Sequence, residues 1–438
     1  MNVRVPAPSA APAPPVASAL RPLRIAVYVH EFPTLSETFV LSQIAGLIDR
    51  GHDVTILANA RGAQPRQHEE VTAYRLRERA RYRDLPAGRW ARLSAAVRLA
   101  TRPGVDRRRL LASLNVFRFG REALSLRLFF WTARLAGERP FDVIHCHFGP
   151  MGRTAAFLRS IGALRGRLVT TFHGVDMSAY LRSAPRHYQH LFRHGDLFLP
   201  ISEHWRRVLV GLGAPEGRVA VHRMGIDLSR FPFSARERRP GSLLRVLTVG
   251  RLVEKKGVDI ALAAIAALAA RGVAVHYDIA GDGPLRPRLE AQAVSLGLGR
   301  CVAFHGWQNQ AGVARLMYAC DLLLAPSRTD STGDQEGIPV TLMEAMASGL
   351  PVVTTRHSGI PELVEHGVSG WLAEEGDVAG LVDGMARLER DPALAERFAA
   401  AARERIATEY DVERLNDRLE TLFAALADGS RERAAPVA

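Results

Sequence analysis

Two glutamates near the carboxyl end of this 438-residue chain have types and a spacing that could do chemistry. Glu336 and Glu344 lie eight positions apart in the stretch DQEGIPVTLMEAM. Pro339 stands between them, and proline favours the first position of a helix. Glu336 is therefore predicted just before a helix, and Glu344 about one and a half turns inside it. One carboxylate could then face a sugar ring while the other accepts hydrogen bonds from ribose hydroxyls. The alternative explains the spacing equally well: Glu336 would be an acid stabilised by the helix dipole at the N-terminus, and Glu344 would be an exposed glutamate on the helix surface.

The backbone between the two glutamates could bind an anion. Gly337 lets a ligand come close to the main chain, and the amides near Ile338 and Val340 point out of the predicted helix end. A helix N-terminus combines such unpaired amides with the positive end of the dipole. Phosphate groups are therefore expected at this point.

A pair of cations lies in another loop that follows a predicted strand. The segment GRLVEKKG, residues 250–257, leads from the strand RVLTV into a helix, and it places Arg251 and Lys256 five positions apart. Arginine grips two phosphate oxygens at once and lysine acts as a compact charge, so the loop suits a diphosphate. Lys255 and Lys256 are the only lysines of the chain. Solvated surface charges are the alternative. The later segment AGDGP (280–284) could wall the same ligand or simply form a turn.

The elements that must position these residues form two similar halves. From Leu23 and again from Leu244, a short apolar strand leads through a polar loop into a helix that ends in Arg-Gly, and a second strand follows. Parallel strands joined by helical crossovers define a doubly wound domain. Further apolar runs continue both halves: FDVIHCHFG (141–149), RLVTTFHGVD (167–176), DLFLPIS (196–202), VAFHGW (302–307), DLLLAPS (321–327) and PVVTT (351–355).

The sequence thus predicts an α/β fold of two Rossmann-like doubly wound domains that face each other across a cleft. The expected limits are 21–227 for the N-terminal domain and 228–409 for the C-terminal domain, with disordered tails over 1–20 and 428–438. Ligands bind beyond the carboxyl ends of the strands in open parallel sheets, so the cleft is the expected site.

The composition is that of an ordinary globular enzyme, with 47% apolar and 24% charged residues. The longest charge-free apolar run, IALAAIAALAA, is about half of what a bilayer span needs. The alanine- and proline-rich first twenty residues lack the apolar core of a secretory signal. Three scattered cysteines suit a reducing cytoplasm and form no metal-binding spacing.

The net charge of +13 is concentrated in one region. Residues 75–134 contain sixteen arginines and four acidic residues, with interleaved aromatic residues: Trp90, Phe117, Phe119, Phe129, Phe130 and Trp131. A basic surface with aromatics can bind an anionic membrane or a nucleic acid. A solvated face of arginine-rich helices is the third possibility.

Taken in order, these motifs resemble the retaining GT-B glycosyltransferases of family 4. GRLVEKKG, IAGDGP, the paired glutamates and HSGIPELVEHGVSGWL all match, and the resemblance extends over most of residues 23–427. SETFVLSQI and EGIPVTLMEAMASGLPVVTTRHSGIPELV are most similar to exopolysaccharide glycosyltransferases of the colanic acid and amylovoran type.

The resemblance implies roles for individual residues of the C-terminal half. Arg251 and Lys256 would bind the donor diphosphate, with backbone from Gly337 through Ile338 to Val340 touching the sugar and phosphates. Glu336 would contact the transferred sugar, and Glu344 would bind the ribose of the nucleotide. Trp307 either lies near the nucleobase or packs in the core.

In the N-terminal half, the resemblance implies that His173 reaches the donor sugar near the reacting carbon; a histidine that caps a turn is the alternative. Ser202 either faces the cleft or is a helix N-cap. His145 and His147 could line the acceptor side, although one of them is better explained as a structural histidine. The helix over 410–427 would return to the first domain, as in GT-B relatives.

The first loop, HEFPTLSETF (30–39), departs from the glycine pair of many family members. Ser36 resembles an N-cap, and Glu37 and Thr38 would open the helix. A glutamate repels phosphate, so contact between these three residues and acceptor hydroxyls is favoured.

The implied reaction moves a hexosyl group from a UDP- or GDP-linked sugar to a polyprenyl-diphosphate-linked oligosaccharide, with retained configuration. The donor is a co-substrate and no cofactor is expected; no Asp-x-Asp cluster is present, so no metal is expected either. The enzyme would work in the cytoplasm, at the anionic inner face of the cytoplasmic membrane. A sugar-nucleotide epimerase of the same fold would need no acceptor. A nucleic-acid-binding protein would leave the paired glutamates unexplained, so no nucleic-acid partner is expected.

Overall fold

The computed structural model describes residues 20–34, 37–62, 68–182, 187–236, 238–239 and 241–429. Contacts divide the chain into two compact units. The N-terminal unit contains residues 20–201, Arg206–His222 and 416–429; the C-terminal unit contains Ser202–Trp205 and Arg223–Leu415. The predicted domain limits remain a prediction, as do the disordered tails, since residues 1–19 and 430–438 lie outside the described residues.

The N-terminal unit is built on a parallel six-stranded sheet with the strand order β3-β2-β1-β4-β5-β6. The strands are β1 (Arg24–Phe32), β2 (Asp53–Arg61), β3 (Ala80–Tyr82), β4 (Val143–His147), β5 (Arg167–Phe172) and β6 (Leu197–Pro200). The helices are α1 (Thr38–Asp49), α2 (Glu69–Ala73), α3 (Arg89–Ala100), α4 (Arg107–Ser113), α5 (Val116–Phe119), α6 (Arg121–Leu124), α7 (Arg127–Arg134), α8 (Gly149–Ser160), α9 (Ala179–Arg182) and α10 (Gln189–His194). Helix α11 (Glu203–Gly211) belongs to this unit from Arg206 onward.

The C-terminal unit repeats this plan, with the parallel strand order β12-β11-β10-β7-β8-β9. Its strands are β7 (Leu244–Val249), β8 (Val275–Ala280), β9 (Val302–Gly306), β10 (Leu322–Ala325), β11 (Val352–Thr355) and β12 (Trp371–Ala373). The helices are α12 (Val258–Ala270), α13 (Arg286–Ser295), α14 (Gln310–Ala319), α15 (Val340–Ala347), α16 (Ile360–Leu363), α17 (Val378–Arg390) and α18 (Pro392–Glu409), and α19 (Val412–Ala427) ends the described chain. Short 3₁₀ turns lie at Glu216–Arg218, Leu228–Arg230 and Glu254–Lys256.

Both predicted strand–helix–strand beginnings are confirmed. Their first helices end before Gly51 and Gly272, which have φ angles of +86° and +82°. Only glycine adopts this left-handed conformation without a steric penalty, which explains the Arg-Gly ending in each half. The doubly wound parallel arrangement predicted from the sequence is therefore present in each unit.

Strand β1 is packed on both faces, as is usual for a strand in a parallel sheet covered by helices. Ile25, Val27 and Val29 point into a core shared with α1, while Tyr28, on the opposite face, packs edge-on against Trp131 with ring centroids 5.4 Å apart. Successive side chains of a strand alternate between faces, so a strand that is apolar throughout must be buried on both.

The helical region between β3 and β4 corrects one expectation. Four of the aromatic residues predicted on a basic surface are instead buried: Phe119, Phe129, Phe130 and Trp131. Phe129 and Phe130 form a small core with Ala96 and Leu110. The prediction was wrong for them because five short helices need an apolar core of their own, and the largest side chains supply it.

The last helix contributes to the N-terminal unit from Asn416 onward. Leu419 and Phe423 are fully buried in the core that contains β1 and α1. Beside them, the buried Arg50 guanidinium donates to Asp417 from Nε at 3.0 Å. None of the helices in the described part of the chain is both long and apolar enough to span a membrane.

We expect Phe423→Ala to lower the free energy of unfolding by about 3–5 kcal/mol, because removal of a buried aromatic ring leaves a cavity. The matched control is Phe117→Ala, since the side chain of Phe117 is fully exposed, and its effect should stay within about 0.5 kcal/mol. Urea unfolding followed by circular dichroism measures both. Equal losses in the two variants would show that α19 is not docked through Phe423.

Candidate active site

The loop after β7 holds the predicted diphosphate-binding cations. Arg251 is exposed and forms no ion pair with any residue that the structure describes. The 3₁₀ turn Glu254–Lys256 follows, and Gly257 is then the N-cap of α12, with a φ of +64°. A Cβ atom at Gly257 would overlap the carbonyl oxygen of Pro326, which lies after β10. Glycine is therefore required for two reasons, and it brings the lysines against the loop that follows β10.

A buried charge cluster joins the lysines to Glu336. Lys256 Nζ lies 3.2 Å from Glu336 Oε2, and Lys255 Nζ lies 3.7 Å from Glu336 Oε1. Lys255 also donates to Asp334 Oδ2 at 2.8 Å. The two lysines come from the loop after β7, and their carboxylate partners come from the loop after β10. Strands β7 and β10 are neighbours in the sheet, so the two loops meet at its edge.

Glu336 remains an anion in spite of its burial. Desolvation alone would raise its pKa, but Lys256 and Lys255 outweigh that effect and lower the pKa below its ordinary value. Glu336 Oε1 is buried and has no hydrogen-bond donor among the described residues. Such an acceptor costs free energy until a donor reaches it, so a hydroxyl group of a ligand would be stabilised there.

His357 and Glu375 hold the backbone of Glu336, and neither residue was predicted from the sequence. The Glu336 amide donates to His357 Nε2 at 3.0 Å, and His357 Nδ1 lies 2.5 Å from Glu375 Oε1. Because Nε2 accepts, the ring proton is on Nδ1 and is donated to Glu375. Glu375 also accepts from the Thr329 amide at 2.8 Å. The sequence indicated His357 only through its place in HSGIPE, directly after a predicted strand.

Helix α15 begins at Val340, with Pro339 as its N-cap and not as its first residue. Ile338 is buried in the core under the helix, whereas Gly337 and Val340 are partly exposed. Glu344 is on the second turn, and burial raises the pKa of its carboxyl group to about 7. Glu336 therefore lies before α15 and Glu344 lies inside it, as the spacing predicted. The assignments of these residues to a donor remain predictions.

Two further loops line the same edge of this sheet. A Cβ atom at Gly281 would overlap the Gly250 carbonyl oxygen, so the loop after β8 lies directly against the loop that holds Arg251. Trp307 follows β9 and is 48% exposed. Of its two interpretations, core packing is therefore wrong, and a surface available to a flat ligand remains.

The N-terminal unit places histidines at the carboxyl ends of β4 and β5. His147 Nδ1 lies 3.1 Å from His173 Nε2, and the two rings are stacked. His145 bonds to Thr171 Oγ1 at 2.8 Å and is fully buried. Burial lowers the pKa of His145 and of His173 well below the ordinary value and that of His147 to about 3, so the rings are neutral at pH 7. His145 and His147 are both buried and both bond within the protein, so which of them is structural stays a prediction.

Asp176 fixes the backbone at His173 and was not predicted. Its carboxylate accepts hydrogen bonds from the amides of His173, Gly174 and Gly149, at 3.0, 3.0 and 2.8 Å. Burial raises the pKa of Asp176 to about 6, against the effect of these bonds. The carboxylate therefore ties the loop after β5 to the start of α8. The spacing HGVD is the signal that sequence analysis could have used.

The first loop differs from its prediction. Helix α1 begins at Thr38, and Glu37 takes the N-cap position without a capping bond from its side chain. The prediction of Ser36 as N-cap was therefore wrong, and Ser36 lies outside the described residues. Burial, followed by the charge of Glu31, raises the pKa of Glu37 to about 7. A partly protonated glutamate is less repulsive to an anion than the sequence implied.

Ser202 is a helix cap. Its hydroxyl accepts from the Trp205 amide at 3.2 Å, and the residue is fully buried. The amides of Glu203 and His204 donate to Glu362, both at 2.8 Å. The N-cap interpretation accounts for this serine without a ligand.

Two family models match consecutive parts of the sequence. The model described as Glycosyltransferase Family 4 matches residues 36–230, and the model described as Glycosyl transferases group 1 matches residues 230–405. In fold, the chain is similar to HepE of Anabaena, solved in complex with UDP and glucose, with a TM-score of 0.66 and 20% identity over 92% of this chain and 100% of that one.

Two relatives are similar over nearly their whole length. WcaL of Salmonella typhimurium, named as a glycosyltransferase of colanic acid biosynthesis, is 40% identical over 92% of this chain and 100% of its own. The amylovoran biosynthesis glycosyltransferase AmsK of Erwinia amylovora is 38% identical over 89% of this chain and 96% of its own. The chain therefore belongs to the family 4 glycosyltransferases of GT-B fold, in the group that contains these two proteins.

Proposed function

We propose that this glycosyltransferase moves a hexosyl group from a nucleoside diphosphate sugar to a hydroxyl of a lipid-linked oligosaccharide during exopolysaccharide biosynthesis. The observation that carries the proposal is the buried, ionised Glu336, whose Oε2 is held by Lys256 while Oε1 lacks a hydrogen-bond donor among the described residues. A sugar hydroxyl supplies that donor, and the adjacent cations suit a diphosphate. The names of WcaL and AmsK support the exopolysaccharide pathway.

The donor diphosphate is proposed to lie between Arg251, Lys256 and the first amides of α15. Negative charge grows on the diphosphate as the bond to the sugar breaks, and preorganised cations and amides stabilise that charge. Metal ions do this work in other transferases; here the side chains are proposed to suffice. HepE, which is similar in fold, was solved with UDP and glucose, which supports a nucleotide sugar as donor.

The proposed reaction retains the configuration at the sugar carbon. The bond from that carbon to the diphosphate oxygen breaks, a bond to the acceptor oxygen forms on the same face, and the acceptor proton passes to the departing phosphate. Glu336 positions the sugar and forms no covalent adduct. His173, neutral and oriented by His147, is proposed to contact the sugar near the reacting carbon, and Glu37 and Thr38 to contact the acceptor.

The acceptor is proposed to be a polyprenyl-diphosphate-linked oligosaccharide, and this determines where the enzyme works. Such a lipid is confined to a membrane. Because no helix among the described residues could span a bilayer, we propose that the enzyme reaches the lipid from the membrane surface. We therefore propose action at the cytoplasmic face of the inner membrane.

A panel of UDP- and GDP-sugars, tested by thermal shift in the presence of EDTA, examines the donor proposal. We expect one nucleotide class to stabilise the protein, because binding to the folded state alone raises its melting temperature. The stabilisation should disappear in Glu344→Ala, which removes the carboxylate proposed to accept from the ribose. Stabilisation only after Mg²⁺ or Mn²⁺ is restored would contradict metal-free binding, and stabilisation by oligonucleotides alone would contradict the donor site.

The same titration should depend on pH. The pKa of Glu344 is raised to about 7 by burial, and the ionised form is the better acceptor of ribose hydroxyls. Nucleotide-sugar affinity is therefore expected to fall as the pH decreases below about 7, because a proton must then leave Glu344 before binding. In Glu344→Gln, affinity should be lower at pH 8 and nearly independent of pH. An unchanged pH profile in this variant would exclude Glu344 as the group responsible.

We expect Arg251→Ala and Lys256→Ala each to lower kcat/KM. The loss should correspond to about 2–4 kcal/mol of transition-state stabilisation, which is the cost of removing one oxyanion donor. Lys256→Ala should also raise the pKa of Glu336, which loses its nearest cation. The matched control is Arg245→Ala, an exposed arginine at the amino end of β7. Steady-state kinetics with the donor found in the panel measure all three. Turnover near wild type in either of the first two variants would reject the phosphate assignment.

His357 is expected to position Glu336 and not to contact the substrate. His357→Leu removes the acceptor of the Glu336 amide and leaves a buried donor unpaired, at a cost of about 1–3 kcal/mol. We expect kcat to fall about tenfold or more on this scale, with a smaller change in the donor KM. His357→Gln, which restores an acceptor, should recover part of the rate. Equal loss in both variants, accompanied by equal loss of stability, would indicate a structural role only.

A further inference from the structure

The region between β3 and β4 exposes an unusual amount of apolar side chain. Eight of the 17 exposed large hydrophobic residues in the described chain lie within 90–124. On α3, Trp90, Leu93 and Val97 are 75%, 51% and 59% exposed. Their i, i+3, i+7 spacing puts them on one stripe of the helix. Folded proteins seldom leave such stripes unpartnered, so this one indicates an interaction surface.

The exposed stripe is not a core that failed to close. The other side of α3 is already packed, with Ala96 buried in the small core that includes Phe129 and Phe130. The helices after α3 continue the pattern: Leu111, Phe117 and Leu124 are 71%, 102% and 72% exposed. We refer to these six apolar residues, Trp90, Leu93, Val97, Leu111, Phe117 and Leu124, as the insert surface.

The charge around the insert surface is strongly positive. Residues 89–127 contain ten arginines and two acidic residues. Both acids are already engaged: Asp106 caps α4 and pairs with Arg109 at 3.0 Å, and Glu122 lies 3.5 Å from Arg127. None of the other eight arginines forms an ion pair with a described residue. Arg92 donates to a backbone carbonyl group, and Arg89 and Arg118 lie over aromatic rings. The remaining five are Arg98, Arg102, Arg107, Arg108 and Arg121. The positive charge is therefore available to an anionic partner.

The apolar side chains decide which anionic partner fits. Four of the six residues of the insert surface are aliphatic, and nucleic acids are held mainly by stacking on aromatic rings and by phosphate contacts. Aliphatic groups gain little from either. In a lipid surface they leave water for the acyl boundary while arginine binds the anionic headgroups.

We propose that the insert surface docks the enzyme on an anionic lipid bilayer. The proposal deepens the proposed function, since a lipid-linked acceptor lies in such a bilayer, and it assigns the contact to this region. Helix α3 is twelve residues long, so it would lie in the interface and not cross it.

Flotation with two kinds of liposome tests the proposal on the full-length protein. One kind is pure phosphatidylcholine, and the other contains phosphatidylglycerol. We expect flotation only with the second kind, weakening as salt increases because screening shortens the reach of the charges. Vesicle binding does not require the donor or acceptor, so a failed transfer assay and a failed docking assay can be told apart.

Two combined variants separate the apolar and the electrostatic contributions. Trp90→Ser with Leu111→Ser and Phe117→Ser should lower the partition coefficient about tenfold or more, because binding scales with the apolar area that enters the interface. Arg98→Gln with Arg107→Gln and Arg108→Gln should lower it about fivefold per arginine at low salt. Since all of these side chains are exposed, thermal unfolding should be unchanged.

Matched controls remove the same groups from the C-terminal unit. Val294→Ser with Val368→Ser removes exposed apolar side chains, and Arg288→Gln with Arg300→Gln and Arg315→Gln removes exposed charge. Both controls should float like the wild type. If the controls lost vesicle binding to the same extent, the effect would come from the overall charge or hydrophobicity of the protein. That result would overturn the assignment to the insert surface.

Other occupants of the insert surface would give different results. Wild-type flotation by the apolar variant would overturn the proposal. So would a concentration-dependent dimer, seen by sedimentation velocity, that the apolar variant abolishes, because the insert surface would then bind a second copy. Oligonucleotide binding at physiological salt, lost in the arginine variant, would assign it to nucleic acid.

Discussion

A carboxylate buried at the end of a parallel sheet cannot stay ionised unless cations or hydrogen-bond donors replace the water it has lost. Glu336 meets this constraint through Lys256 and Lys255, and the arrangement of the C-terminal unit follows from it. The lysines must come from the loop after β7 and the carboxylate from the loop after β10. Strands β7 and β10 must therefore be neighbours, as they are in the sheet.

The same constraint explains the residues behind the cluster. The amide of Glu336 is also removed from water, so it needs an acceptor, and the neutral Nε2 atom of His357 provides one. Glu375 in turn fixes the proton of that ring on the other nitrogen. Each group compensates for the burial of the previous one. The result is a carboxylate with a fixed backbone and a lysine near each oxygen, in which Oε1 has no hydrogen-bond donor among the described residues.

In the N-terminal unit, burial has the opposite outcome. The side chains at the carboxyl ends of β4 and β5 are histidines, which can lose their charge by giving up a proton, and all three of those discussed are neutral. Beside these rings, the buried carboxylate of Asp176 is held by three backbone amides and not by cations. The two units thus offer different chemistry at equivalent positions of the same fold: an anion with lysines in one and uncharged hydrogen-bonding rings in the other.

The sequence by itself determined the two doubly wound sheets, because apolar runs, Arg-Gly helix ends and strand-to-helix loops are local patterns that one stretch of chain contains. It also indicated Arg251, Lys256 and the paired glutamates, whose spacing depends only on a loop and the helix after it. Only the tertiary structure decided which side chains meet across strands: the ion pairs of Lys256 and Lys255 with Glu336, the contact of His357 with Glu336 across 21 positions, and the burial of Phe129 and Phe130. Such contacts depend on the order of strands in the sheet and on which helical face turns inward. Composition and spacing along the chain do not encode either in a form that can be read locally.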